Sequence, residues 1–136
     1  MKIQTSELSG AALDYAVSVC VGFKYGSPRK VIDQIHFPLS RPDWNTLGVA
    51  VLMPDGAWNP NVPKYSSIWS VGGRLIDSSC TAFHRDADGT CWATVGLSQC
   101  SGNDILEAFL RALVTERSGP EVDVPDELVK VNNNDR

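Results

Sequence analysis

Between Gly10 and Val21 the chain is apolar at nearly every position: Ala11, Ala12, Leu13, Tyr15, Ala16, Val17, Val19, Cys20 and Val21 are interrupted only by Asp14 and Ser18. Gly10, Asp14 and Ser18 recur at i, i+4 and i+8, so a helix here carries one narrow polar stripe. A helix that is apolar around most of its circumference must be covered on several sides. Ser9 is placed to act as N-cap, and Leu8 and Leu13 to form a hydrophobic staple across it. Gly22 supplies a left-handed stop. The segment therefore predicts a core helix. With Lys2 as the one early cation and Asp14 within the apolar stretch, it does not read as a signal peptide.

The remaining composition narrows the class. A length of 136 residues suits one domain, expected over residues 1–131 with 132–136 as a flexible tail. No apolar run approaches the roughly 20 residues that span a bilayer, so a cytoplasmic setting without a membrane partner is expected. Cys20, Cys80, Cys91 and Cys100 then read as reduced thiols. A net charge of −4 argues against a duplex-binding surface, which leaves a basic footprint.

Strands are expected at Val31–Phe37, bounded by Pro38, and at Leu47–Met53, whose unbroken apolar run suits a strand covered on both faces. Pro54-Asp55-Gly56 is turn chemistry, and Ala57-Trp58 can begin a return strand. Ser66 or Ser67 can cap a helix running to about Ile76, weakened by about 1 kcal/mol at each of Gly72 and Gly73. The last helix is well marked. Asp104-x-x-Glu107 is a capping box, Leu106, Phe109, Leu110 and Leu113 form its apolar stripe, and Ser118-Gly119-Pro120 ends it. Together these elements predict an α+β fold: a small antiparallel sheet packed with helices, resembling an α-β-α sandwich.

Ser79–Leu97 reads as a hairpin. With Asp86-Ala87-Asp88-Gly89 as a four-residue loop, Arg85 pairs with Thr90, His84 with Cys91, Phe83 with Trp92 and Thr81 with Thr94. Alternation then puts Cys80, Ala82, His84, Cys91, Ala93 and Val95 on one face and Thr81, Phe83, Arg85, Thr90, Trp92 and Thr94 on the other. The second face is an aromatic pair among hydroxyls and a guanidinium. It is either a cross-strand core pair or a stacking platform for a flat ligand with Arg85 near a phosphate, a dimer interface being a third reading. Arg111 likewise is either the exposed i,i+4 partner of Glu107 or an anion-binding arginine.

Catalytic and metal signals are weak. Cys80, His84 and Cys91 lack zinc-ligand spacing, and Asp86-x-Asp88-Gly89 lacks the rest of a calcium loop. His36 and His84 stand in no nucleophile arrangement, and no glycine loop cradles phosphate. The chain reads as a non-enzyme without cofactor or metal.

The opening MKIQTSELSGAALDYAVSVC resembles the start of the NinX-like phage proteins. Tyr65 to Ile76 (YSSIWSVGGRLI) is similar to that family's central Trp-Gly-Gly segment, and Ala108-Phe109-Leu110-Arg111 and Glu121 to Pro125 are similar to its end. The order of elements also resembles phage ABA sandwich domains. Tyr65-Ser66-Ser67 and Asp104-Ile105 depart from the family's pattern, and residues 23–63 match nothing in it. The resemblance implies a small, non-catalytic, homo-oligomeric accessory protein in the cytoplasm of an infected bacterium. By analogy with layered phage proteins it implies a sponge for a nucleotide-type immune signal, such as a cyclic nucleotide or an ADP-ribose derivative. The candidate contact residues are Phe83, Trp92, Arg85, Arg111, Thr81 and Thr94, with Trp69 and Arg74 from the central segment. A protein–protein adaptor is the alternative, and a hydrolase of such a nucleotide a third.

Overall fold

The structure, a computed structural model, describes residues 1–79 and 82–129. In chain order the elements are β1 (Lys2–Gln4), a 3-10 turn (Thr5–Glu7), α1 (Gly10–Cys20), β2 (Lys24–Tyr25), β3 (Arg29–Val31), β4 (Gln34–Ser40) and β5 (Gly48–Leu52). Then follow α2 (Trp69–Gly72), a second 3-10 turn (Gly73–Leu75), α3 (Ile76–Ser79), β6 (Ala82–Arg85), β7 (Cys91–Val95), β8 (Ser98–Gly102), α4 (Ile105–Ser118) and β9 (Glu121–Asp123). The fold is α+β, as the sequence predicts. Its strands, all antiparallel, divide among three sheets: β1 with β9, β4 with β2, β3 and β5, and the meander β6-β7-β8.

Helices α1 and α4 pack on each other, and α4 seats against β7 and β8. Leu106, Phe109, Leu110 and Leu113, the predicted stripe of α4, are all buried. The β2–β5 sheet joins α1: Trp58 Nε1 donates to the Ala11 carbonyl at 3.1 Å, and the rings of Tyr15 and Tyr25 lie 4.5 Å apart. Within the α+β class the layers thus run sheet, helix, helix, sheet. Residues Phe37, Leu39, Ala50 and Leu52 from the one sheet and Cys91, Ala93 and Val95 from the other close the core.

This order explains the all-round apolar α1, with one inversion. Its polar stripe does not meet water. Asp14 and Ser18 are buried, while Val19 is exposed. Ser18 Oγ lies 2.7 Å from the Tyr25 hydroxyl, and Asp14 Oδ1 accepts from the Ser66 N–H at 2.8 Å. The Ser9 side chain makes no cap bond. The other end follows the sequence: Gly22 takes φ +112°, its N–H bonds the Val19 carbonyl and the Phe23 N–H bonds that of Ser18, a Schellman closure.

Four strand and helix expectations need correction. Strand β4 runs through Pro38 to Ser40, because Pro38 faces the break between β2 and β3, where its missing N–H goes unneeded and the Gly26 N–H bonds its carbonyl. Strand β5 is covered on one face only, Ala50 and Leu52 buried but Val49 exposed. The helix expected from Ser66 is broken into α2, a 3-10 turn and α3 at the Gly72-Gly73 pair, and its N-cap position is Ile68. The Ala57-Trp58 return strand reduces to one bridge, Leu52 to Trp58. Cys80, Thr81 and the 132–136 tail lie outside the described residues.

Burial pushes the Asp14 carboxyl up to about 6, against the lowering influence of Ser66 and Lys64. A carboxyl with a raised folded pKa stabilises fully below its unfolded value near 4, and that contribution falls as pH climbs through 6. Asp14→Asn keeps the acceptor for Ser66 and cannot ionise. In urea titrations the stability difference between variant and wild type is expected near zero at pH 4, growing to about 1–3 kcal/mol in the variant's favour above pH 7. A difference that does not change with pH refutes this account.

Candidate functional site

The meander's register differs by one residue from the sequence expectation, and the difference decides the site. Asp86, and not Arg85, faces Thr90, the Asp86 N–H donating to the Thr90 carbonyl at 2.9 Å. The loop is therefore the three residues Ala87-Asp88-Gly89, with Gly89 at φ +91° in the left-handed position such a loop requires. Asp88 Oδ1 accepts the Thr90 N–H at 3.0 Å, which holds its carboxyl below the usual range. Arg85 now faces Cys91, His84 faces Trp92, Phe83 faces Ala93 and Ala82 faces Thr94.

A one-residue slip exchanges sides. Phe83 and Arg85 share a side with Cys91 and Ala93, toward α4, yet lie on the edge strand and are exposed, Phe83 to 40%. Trp92 stands on the outer side with His84, Thr94, Gln99 and Ser101. The expected Phe83–Trp92 pair does not form, and Arg85 is on the opposite side from Trp92. Cys91, Ala93 and Val95 do face the helix as expected; Ala82 and His84 do not.

What the outer side offers instead is a fixed stack. The His84 and Trp92 rings are nearly parallel, 8° apart in plane with centroids at 6.0 Å. Asp86 holds the indole, its Oδ2 accepting from Trp92 Nε1 at 2.8 Å, and its Oδ1 lies 3.6 Å from His84 Nε2, an ion-pair distance when the imidazole is protonated. The sequence missed His84 and Asp86 as partners of Trp92. The signal was present in Asp88-Gly89, since glycine in third place favours the three-residue loop.

At the Thr90–Asn103 end of the meander is a cleft of about 270 Å³ lined by Asp88, Gly89, Thr90, Ser101, Gly102, Asn103 and Arg111. Ser101 is the cross-strand neighbour of Trp92. Arg111 is not an exposed ion-pair residue. Its Nε donates to the Leu8 carbonyl at 2.7 Å and its Nη1 to that of Ser101 at 2.9 Å, with Glu107 Oε1 at 3.4 Å. Glu107 meanwhile accepts from the Asn103 N–H and donates its own N–H to Asp104, the capping box in working form. Among the described residues Arg111 Nη2 has no partner, leaving one guanidinium edge for the cleft.

Trp69 and Arg74 sit on α2 and the following 3-10 turn, both exposed, and make no ring contact or ion pair with the stack among the described residues. Thr94 is half-buried beside Trp92, and Thr81 is outside the described residues. Among the described residues no group of three His, Cys, Asp or Glu side chains is arranged to hold a metal ion, and no helix is long and apolar enough to cross a membrane.

Arg111→Ala removes the donors that serve two inward-facing carbonyls. Charge-assisted bonds of this kind lead to an expected loss of about 2–3 kcal/mol in urea unfolding. A loss under about 0.5 kcal/mol would mark Arg111 as a surface residue after all.

No protein-family model matches the chain, and no curated protein matches it in sequence.

Proposed function

We propose that the chain is a non-catalytic binding protein for a nucleotide-type small molecule, taken on the outer side of the β6-β7-β8 meander. The observation that carries this reading is the His84–Trp92 stack, with its indole fixed by Asp86, on the side of the meander away from α4. Aromatic rings already parallel, the indole held by a carboxylate, lose little freedom when a base extends the stack. Asp86 and Asp88 are acceptors suited to ribose hydroxyls. Thr90, Ser101, Asn103 and the free edge of Arg111 offer donors for the remainder of the ligand in the cleft. Phe83 and Arg85 have no part in it. In the phage setting that the sequence resemblance implies, such a protein sequesters a cyclic nucleotide or an ADP-ribose derivative and blunts the immune signal. Assembly into a homo-oligomer in the host cytoplasm belongs to the same proposal.

The second reading is an adaptor that grips a host or phage protein. It is favoured by Ile68, Trp69 and Phe83, three large apolar side chains left open to solvent.

Thermal-shift titration with cyclic nucleotides and ADP-ribose derivatives is expected to raise the Tm in proportion to the logarithm of ligand concentration. Trp92→Ala is expected to weaken binding about 10- to 100-fold, as loss of one base–aromatic stack does, while Phe83→Ala leaves it unchanged. Equal loss from both substitutions removes the stack from the site. No shift with any nucleotide, together with one stoichiometric protein partner in a pull-down, transfers the function to the adaptor reading. Recovery of a cleaved nucleotide from the complex excludes a non-catalytic role.

A further inference from the structure

The hairpin joining β3 to β4 turns on only two residues, Ile32 and Asp33, since Val31 pairs with Gln34. Such turns demand left-handed backbone, which Asn and Gly accept readily and β-branched residues do not. Ile32 nevertheless holds φ +54°, the one non-glycine with positive φ among the described residues, and its side chain is 86% exposed. The chain thus bears a backbone strain to keep a large apolar side chain at the tip of a hairpin, with Val31 exposed beside it. Behind the tip stand the exposed cations Arg29 and Lys30; Asp33 is the hairpin's acid. The hairpin is an apolar point on a basic stem.

A surface of opposite character lies where α1 meets β9. Because α1 turns its acid and its serine inward, it shows Val19 outward, with one side of the half-buried Tyr15 next to it. With Ala16 and Val122 these floor a groove of about 260 Å³, rimmed by Ser118, Glu121 and Asp123. A neighbouring hollow adds Glu127 to the rim. Asp123 already pairs with the Met1 ammonium at 2.8 Å, but Glu121 has no ion-pair partner among the described residues. The groove is an apolar floor with an acidic edge.

We propose that the Ile32 tip of one copy seats in the Tyr15–Val19–Val122 groove of a second copy, with Arg29 and Lys30 beside Glu121. Charge and polarity match across the contact, and both halves are carried by every chain. A one-way contact extends from copy to copy, whereas two copies that exchange tips close into a two-fold dimer. The outer side of the meander takes no part, so assembly and nucleotide binding are separable and the failure of one leaves the other standing.

Sedimentation equilibrium of the full chain from micromolar to sub-millimolar concentration provides the test. The average mass is expected to rise above the 14.8 kDa of one chain, and to rise less in high salt. Ile32→Asn places a residue that accepts left-handed backbone at the turn, so the variant stays folded with an equal or higher Tm, yet associates about tenfold more weakly or worse. Val19→Glu is expected to do the same from the groove side. Each variant keeps the half that the other lacks, so an equimolar mixture regains 1:1 association. A wild type that stays monomeric throughout, variants that associate like wild type, or a mixture no tighter than its components overturns the proposal.

Discussion

The seating of α4 on the meander is the contact on which the other layers depend. It is close because the opposed surfaces are small. A Cβ on Gly102 would lie 2.6 Å from the Ala108 nitrogen, and the buried residues of the two elements include the small Ala108 and Ala112 of α4 and Cys91, Ala93 and Cys100 of the strands. Small residues bring the backbones together, and the buried Leu106, Phe109, Leu110 and Leu113 side chains are then free to fill the rest of the core. Arg111 fixes the depth. By bonding the carbonyls of Leu8 and Ser101 it links the chain ahead of α1, the helix that carries it and the strand beneath. The residue that offers an edge to the cleft is thus the one that sets where the cleft's walls stand.

How much of this was legible follows from where each signal resides. The bounds of α4 were readable because a capping box, a 3.6-residue stripe and a Ser-Gly-Pro stop all act within a few residues of each other. The end of α1 was readable for the same reason. Its orientation was not. Gly10, Asp14 and Ser18 look like a solvent stripe until a partner arrives from Ser66, or from Tyr25 on another element, to satisfy the polar atoms inside. The site shows the harder case. That a hairpin lies within Ser79 to Leu97 was plain from the sequence, but Asp-Ala-Asp-Gly permits a three- or a four-residue closure, and that single choice decides whether Trp92 meets Phe83 or His84. The aromatic residue was right and its partner was wrong.

The same slip changes what the meander's two sides are for. On the helix side, Cys91, Ala93 and Val95 do packing work, and Phe83 and Arg85 overhang the edge on a strand whose residues are all exposed. The outer side instead has its polar atoms arranged around one indole, with Asp86 bound to the nitrogen and the imidazole of His84 parallel to the ring. A tryptophan held in this way has little rotamer freedom left to lose on meeting a ligand.

That the strands form three sheets instead of one has a consequence for how the chain reaches its folded state. Among the described residues no ladder of backbone hydrogen bonds passes from one sheet to another, and the meander meets the rest of the fold chiefly through α4. The meander and α4 are contiguous in sequence and can find each other at small loop-closure cost, whereas β1 and β9 pair Lys2 with Asp123 across nearly the whole described chain. Loop entropy therefore orders assembly: the local strand–helix unit can nucleate alone, and the terminal two-stranded sheet closes only once the helices between have docked. Among the strand pairings the longest sequence separation thereby falls in the smallest sheet, and the meander is built from strands with short connections.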